Sequence, residues 1–194
     1  MKKVFLSLLF SSSIIIGFSD SCLAQSLPDS IPLRVVILRH GEKPEKGYNL
    51  SCQGYNRSLA LPEIFVARFG VPDFTYVPEI NTGKTTKVVR MYQTLVPFAV
   101  KYNLLINSNF NENDSADIAI DILEKRGTVL IIWNSSDIPS IARSLGINDK
   151  ALIWKEDDDY DGIWIIDFVK IREEKLQAKF STAKQNINPP PDCK

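Results

Sequence analysis

The sequence predicts a three-layer α/β/α domain with a mainly parallel central sheet. Three observations carry that prediction. Short apolar runs bounded by Gly, Pro or polar residues alternate with longer stretches of helical periodicity. The strongest runs, Leu33 to Leu38 and Thr128 to Trp133, are apolar without alternation, as strands covered on both faces are. The 194 residues, 44% apolar and 24% charged, suit one domain, with no internal repeat and no linker to divide it.

The elements follow in order. After a polar, Pro-containing lead from Leu27 to Pro32, Leu33 to Leu38 reads as a buried strand that ends at Arg39-His40-Gly41. Leu50 to Phe69 reads as helical: Leu59, Ile64, Phe65 and Ala67 give a 3.6-like pattern, and Gly70 stands where a C-cap belongs. Pro62 predicts a kink or a break into two shorter helices. Phe74 to Val77 is a short strand, Thr85 to Tyr102 a second helical stretch interrupted at Pro97, and Leu104 to Ile106 a third strand. Ser115 to Arg126 is a helix with Ser115 as N-cap and Ile118, Ala119, Ile122 and Leu123 on one face, ended by Gly127. Thr128 to Trp133 is a strand and Asp137 to Leu145 a short helix. Gly162 to Val169 and Lys175 to Ser181 close the domain as a hairpin.

The first residues are read as a leader rather than as fold. Lys2 and Lys3 precede a largely apolar, serine-containing stretch from Val4 to Phe18, and Cys22-Leu23-Ala24 precedes Gln25. This is the pattern of a secretory signal peptide, residues 1–24, cleaved after Ala24. The apolar core is short for a membrane span. An uncleaved anchor is the alternative, and a lipid attachment at Cys22 fits Ser19-Asp20-Ser21 poorly. The expected mature domain, 25–194, is periplasmic or secreted, with no membrane partner after cleavage. It keeps Cys52 and Cys193, an even pair in an oxidising compartment. A disulfide that ties down the Pro-rich tail Asn188 to Asp192 and two free thiols stay equally open. Lys plus Arg and Asp plus Glu both number 23, a balance that argues against nucleic acid as a partner.

In such sheets ligands sit at the carboxyl ends of the central strands. One strand ends in Arg39-His40-Gly41-Glu42-Lys43-Pro44, the other in Trp133-Asn134-Ser135-Ser136-Asp137. His40 is the chain's one histidine. Beside it, Arg39 offers a planar fork of donors that matches phosphate oxygens, and Gly41 lets backbone approach a ligand closely. A neutral imidazole next to that fork can attack phosphorus and become a phosphohistidine. The bland counterpart is a histidine satisfied by hydrogen bonds in a turn.

Leu38 to Pro44 resembles the signature of the histidine phosphatase (phosphoglycerate mutase-like) superfamily, in a small exported branch with Arg-His-Gly-Glu-Lys-Pro. Asn49 to Arg57 is similar to that family's Leu-Thr-x-x-Gly helix start. Arg90-Met91-Tyr92-Gln93-Thr94 is similar to its second arginine motif, and Thr128 to Gly146 to its late strand, turn and helix. The resemblance covers most of Arg34 to about Phe180. It implies a phosphoglycerate mutase-like fold, His40 as phosphoryl acceptor, and Arg39 and Arg90 as the phosphate clamp. The expected ligand is a phosphorylated small molecule or phosphate, and no cofactor is implied.

The resemblance also implies a second histidine in the turn before the Ile138-Pro139 pair. Here Asn134 or Ser135 stands in its place, as neutral phosphate-binding donors. Losing one preorganised donor to a developing oxyanion costs about 100- to 1000-fold in rate. Two readings therefore stand side by side: a weak phosphomonoesterase, and a pseudophosphatase that binds a phospho-ligand or an envelope partner. Candidates for the general acid are Glu112 and Asp114, with Asp117 and Asp137 behind them. Glu42 is expected to orient the turn, and Arg57 either reaches substrate or lies on the helix surface. The acidic run Glu156 to Asp161 lacks the glycine spacing of a calcium loop and is read as solvated, with no metal assigned.

Overall fold

The computed structural model describes residues 33–80, 88–149, 152–154, 158–170 and 176–193. The leader, residues 1–24, lies outside the described residues, as do the first residues of the predicted second helix and Lys175 of the final hairpin. Six strands and four helices follow in the order β1 (Leu33–Arg39), α1 (Cys52–Phe69), β2 (Phe74–Tyr76), α2 (Val89–Tyr102), β3 (Ile106–Asn107), α3 (Ser115–Leu123), β4 (Gly127–Trp133), α4 (Ile138–Ser144), β5 (Gly162–Lys170) and β6 (Leu176–Lys184).

The strands form one sheet in the order β3-β2-β4-β1-β5-β6. β1, β2, β3 and β4 run parallel, β5 pairs antiparallel with β1, and β6 antiparallel with β5. The expected mainly parallel sheet is therefore present, with an antiparallel hairpin completing one side. Strand alternation sorts the core into two layers. Val35, Ile37, Val129, Ile131 and Trp133 meet Ile118, Ile122, Ile138 and Ile141 of α3 and α4. Val36, Leu38, Leu130 and Ile132 meet Leu61, Phe65, Leu95 and Phe98 of α1 and α2. Both faces of β1 and β4 are covered, which is why their sequences carry no polar alternation.

Several elements differ from expectation: β3 is Ile106–Asn107 rather than Leu104 to Ile106, β6 runs on to Lys184, and three helices differ for physical reasons. α1 continues through Pro62 as one helix, because Leu61, Pro62 and Phe65 are all buried against the sheet and that packing outweighs the lost backbone bond. α2 likewise runs through Pro97, between the buried Leu95 and Phe98. α3 is shorter than expected: it ends at Leu123, and its N-cap is Asp114 rather than Ser115. The Asp114 carboxylate accepts from the backbone N–H of Asn111 at 2.9 Å, so it closes the preceding turn and does not cap the helix.

Cys52 and Cys193 are disulfide-bonded. The bridge holds the chain's end against the first residue of α1. Asn56 strengthens that contact by donating to the carbonyls of Pro190 at 2.9 Å and Asp192 at 2.8 Å.

Candidate functional site

β1 and β4 are neighbours in parallel register, with Arg39 opposite Trp133, so both strands end at the same sheet edge. The chain leaves β1 toward α1 on one face and leaves β4 toward α4 on the other. Diverging connections of this kind open a crevice at the strand ends, the usual ligand position in α/β sheets. The turn after β1 and the turn after β4 stand side by side at that position. They are joined where the His40 N–H donates to the Trp133 carbonyl at 3.0 Å.

The first turn is held by its backbone. Gly41 N–H donates to Thr94 Oγ1 of α2 at 2.9 Å, and Thr94 donates in turn to the Arg90 carbonyl at 2.8 Å. The Glu42 carbonyl accepts from Ser51 N–H at 2.8 Å, and Ser51 caps α1 by accepting from Gly54 N–H at 3.1 Å. Two glycines permit this approach. A Cβ on Gly41 would meet the Gly54 carbonyl oxygen at 2.8 Å, and one on Gly54 would meet the Glu42 carbonyl oxygen at 2.3 Å. The Gly in the helix-start motif thus has a packing reason: turn and helix touch backbone to backbone.

Arg39 and His40 are buried, at 4% and 6% exposure. His40 Nδ1 lies 2.7 Å from the Gly41 carbonyl, which fixes the proton on Nδ1 and leaves the lone pair on Nε2. Burial, opposed in part by this hydrogen bond and reinforced by the charges of Arg39, Arg90 and Lys43, pushes the imidazole down to about 4. At neutral pH it is therefore an uncharged imidazole with its electron pair on Nε2, the form a nucleophile requires.

Arg90 is half-buried at the start of α2 and donates to the carbonyls of Gly47 at 2.9 Å and Asn49 at 3.3 Å. Two of its five N–H donors hold that loop. Gln93 secures the same loop, accepting from Leu50 N–H at 3.0 Å and donating to Asn49 Oδ1 at 2.9 Å.

The second turn is built from local bonds. Asn134 Oδ1 accepts from Asp137 N–H at 2.9 Å and from Ser136 Oγ at 2.7 Å, and its amide donates to Glu112 at 2.9 Å. The Trp133 indole donates to the Glu112 carbonyl at 3.0 Å. Of the candidate acids, Glu112 is thus brought to this turn by two contacts, whereas Asp114 is engaged with Asn111. Ser135 is half-buried in the same turn.

Two further residues shape the site. Tyr160, in the acidic run expected to be solvated, lays its ring 4.2 Å from the Arg39 guanidinium carbon and 6.0 Å from the His40 ring. No local pattern pointed to it, because its partners lie some 120 residues away in sequence. Arg57 is neither on the surface nor directed at a ligand. It is 4% exposed, and its guanidinium holds the buried Glu42 through Nε at 3.0 Å and Nη2 at 2.7 Å. The signal was present: Gly54, Arg57, Ser58, Leu61 and Phe65 recur at helical spacing and form the buried side of α1.

No protein-family model matches the chain, and no curated protein matches it. Among solved structures, the fold is similar to the protein histidine phosphatase SixA complexed with tungstate. The TM-score is 0.53 at 13% identity, over 78% of this chain and 97% of that one. It is also similar to phosphoglycerate mutase from Plasmodium falciparum, with TM-score 0.51 and 13% identity, over 77% of this chain and 89% of that one. The architecture is therefore phosphoglycerate mutase-like.

Proposed function

We propose that this chain is a histidine phosphatase-like protein that grips the phosphate of a small phosphoester at the end of β1. The observation that carries the reading is the state of His40. It is buried beside Arg39, uncharged, and fixed in the tautomer that leaves Nε2 as the nucleophile. In the reaction, Nε2 attacks phosphorus, an N–P bond forms, and the ester P–O bond breaks. The departing oxygen takes a proton, for which Glu112 is the candidate source. Water then attacks the phosphohistidine, the N–P bond breaks, and phosphate leaves with His40 restored. Arg39 and Arg90 neutralise the charge of the transferring group.

A second reading has its own support. Asn134 occupies the turn where a second histidine is expected, and its side chain is bonded to Asp137, Ser136 and Glu112. A neutral amide engaged in this way favours binding over turnover, the behaviour of a pseudophosphatase. Under both readings the leader exports the protein, and the Cys52–Cys193 disulfide suits an oxidising compartment.

The test compares wild type, His40→Ala and Arg39→Ala in hydrolysis of p-nitrophenyl phosphate and in tungstate binding. An active enzyme loses turnover to background in His40→Ala. A binding protein shows no turnover in any form, and its tungstate affinity falls in Arg39→Ala. Equal hydrolysis by wild type and His40→Ala removes the catalytic reading, and tungstate binding unaffected by Arg39→Ala removes the grip.

A further inference from the structure

Behind the turn, away from the crevice, Arg57 uses every donor it has. Nε and one Nη2 proton serve Glu42; Nη1 donates to Asp161 Oδ1 at 3.1 Å and Gln185 Oε1 at 3.2 Å; Nη2 also donates to the Ile187 carbonyl at 3.3 Å. A guanidinium with all five N–H groups engaged cannot serve a substrate. What it can do is fix the relative position of its partners. Glu42 is two residues from His40. Gln185 donates to the Tyr160 carbonyl at 2.9 Å, and the Tyr160 ring covers Arg39. Gln185 and Ile187 begin the segment that Asn56 and the Cys52–Cys193 bridge hold down further along.

We propose that Arg57 is the positioning residue of the phosphate grip. It draws the motif turn, through Glu42, and the Tyr160 loop, through Asp161 and Gln185, onto one buried guanidinium that the C-terminal strap closes. The inference rests on reading the turn as a phosphate site. Its physical basis is that a buried, fully hydrogen-bonded carboxylate–guanidinium pair tolerates little displacement, so each partner inherits the geometry of the others. Arg39 and His40 then meet an oxyanion without rearranging.

The chain's lone histidine makes the test specific, since it gives one imidazole signal in an NMR pH titration. Wild type, Arg57→Lys and the double variant Glu42→Leu/Arg57→Met are compared for melting temperature, tungstate affinity and His40 titration. Arg57→Lys keeps the charge but loses the fork. Its tungstate Kd is expected to rise about tenfold, as expected for one charge-assisted hydrogen bond lost. The His40 midpoint is expected to move up from about 4 toward 6.5. The double variant replaces the buried pair by apolar side chains, a change that commonly preserves stability. It is expected to melt near wild type and still lose tungstate affinity. A folded Arg57→Lys or double variant with wild-type affinity and titration overturns the proposal. So does loss of the fold in both, because the pair then serves the fold rather than the grip. If wild type binds no tungstate, the phosphate reading falls instead. The His40 titration then decides the role of Arg57 by itself.

Discussion

The turns that follow β1 and β4 share one sheet edge, one register and one connecting hydrogen bond, yet they are organised in opposite ways. The β1 turn draws its bonds from afar: Thr94 of α2, Ser51 and Arg57 of α1, and Tyr160 beside β5. It contains three buried charged or titratable residues, Arg39, His40 and Glu42. The β4 turn is satisfied mostly from within, by Asn134, Ser136 and Asp137, with Glu112 as a distant side-chain partner. A turn anchored from several elements can hold charge at fixed positions. A turn closed on itself serves chiefly to start the next helix. The difference lets the proposed phosphate grip rest on the β1 wall, while the β4 wall presents the neutral Asn134.

The largest expected effect comes from making the two walls alike. In Asn134→His, an imidazole replaces the neutral amide of the β4 turn. If the β1 turn is otherwise assembled, hydrolysis of p-nitrophenyl phosphate rises about 100- to 1000-fold. An unchanged rate would show that the β1 turn alone does not organise a catalytic pocket.

The next effect concerns the charge stored in the β1 turn. His40 titrates near 4 in the fold and near 6.5 when unfolded, so the unfolded chain binds the extra proton first as pH falls. The stability associated with the uncharged, buried imidazole is fully present above about pH 6.5 and is lost as pH falls toward 4. Its size is roughly 3 kcal/mol, from the separation of the two values. Denaturant midpoints measured from pH 7.5 to pH 4 should show this slope in wild type and a shallower one in His40→Asn.

The smallest effect separates the walls by their anchors. Thr94→Val leaves the buried Gly41 N–H without its acceptor, at a cost of about 1–3 kcal/mol. Ser136→Ala, which removes an exposed hydroxyl from the β4 turn, should cost within about 0.5 kcal/mol. Comparable losses in the two variants, measured by thermal melting, would contradict the contrast drawn between the turns.

Much of this architecture is legible along the chain, because the relevant forces are local or periodic. Leu33 to Leu38 and Thr128 to Trp133 announce themselves as strands covered on both faces, since only a buried strand tolerates such runs. Gly70 marks the end of α1 as its C-cap. The Arg39-His40 pair singles out the carboxyl end of β1 as the candidate site by residue type. Arg57 was misread: it was expected to reach substrate or lie on the helix surface, although its spacing matches the buried side of α1. The helices that run through Pro62 and Pro97 show the limit of local rules, since packing against the sheet outweighs one missing backbone bond.

By itself, then, the sequence determined a three-layer α/β/α domain and singled out the turn on which the proposed chemistry rests. Strand burial, helix periodicity and a charged pair beside a glycine are all properties of neighbouring residues. Only the tertiary structure decided the surroundings of that turn. Tyr160 reaches Arg39 across 121 residues of chain, and Gln185 reaches Arg57 across 128. Contacts at such separations depend on strand order and on where the strap docks, and no local pattern encodes them. The low pKa of His40 has the same origin, because it follows chiefly from burial, which the fold as a whole creates.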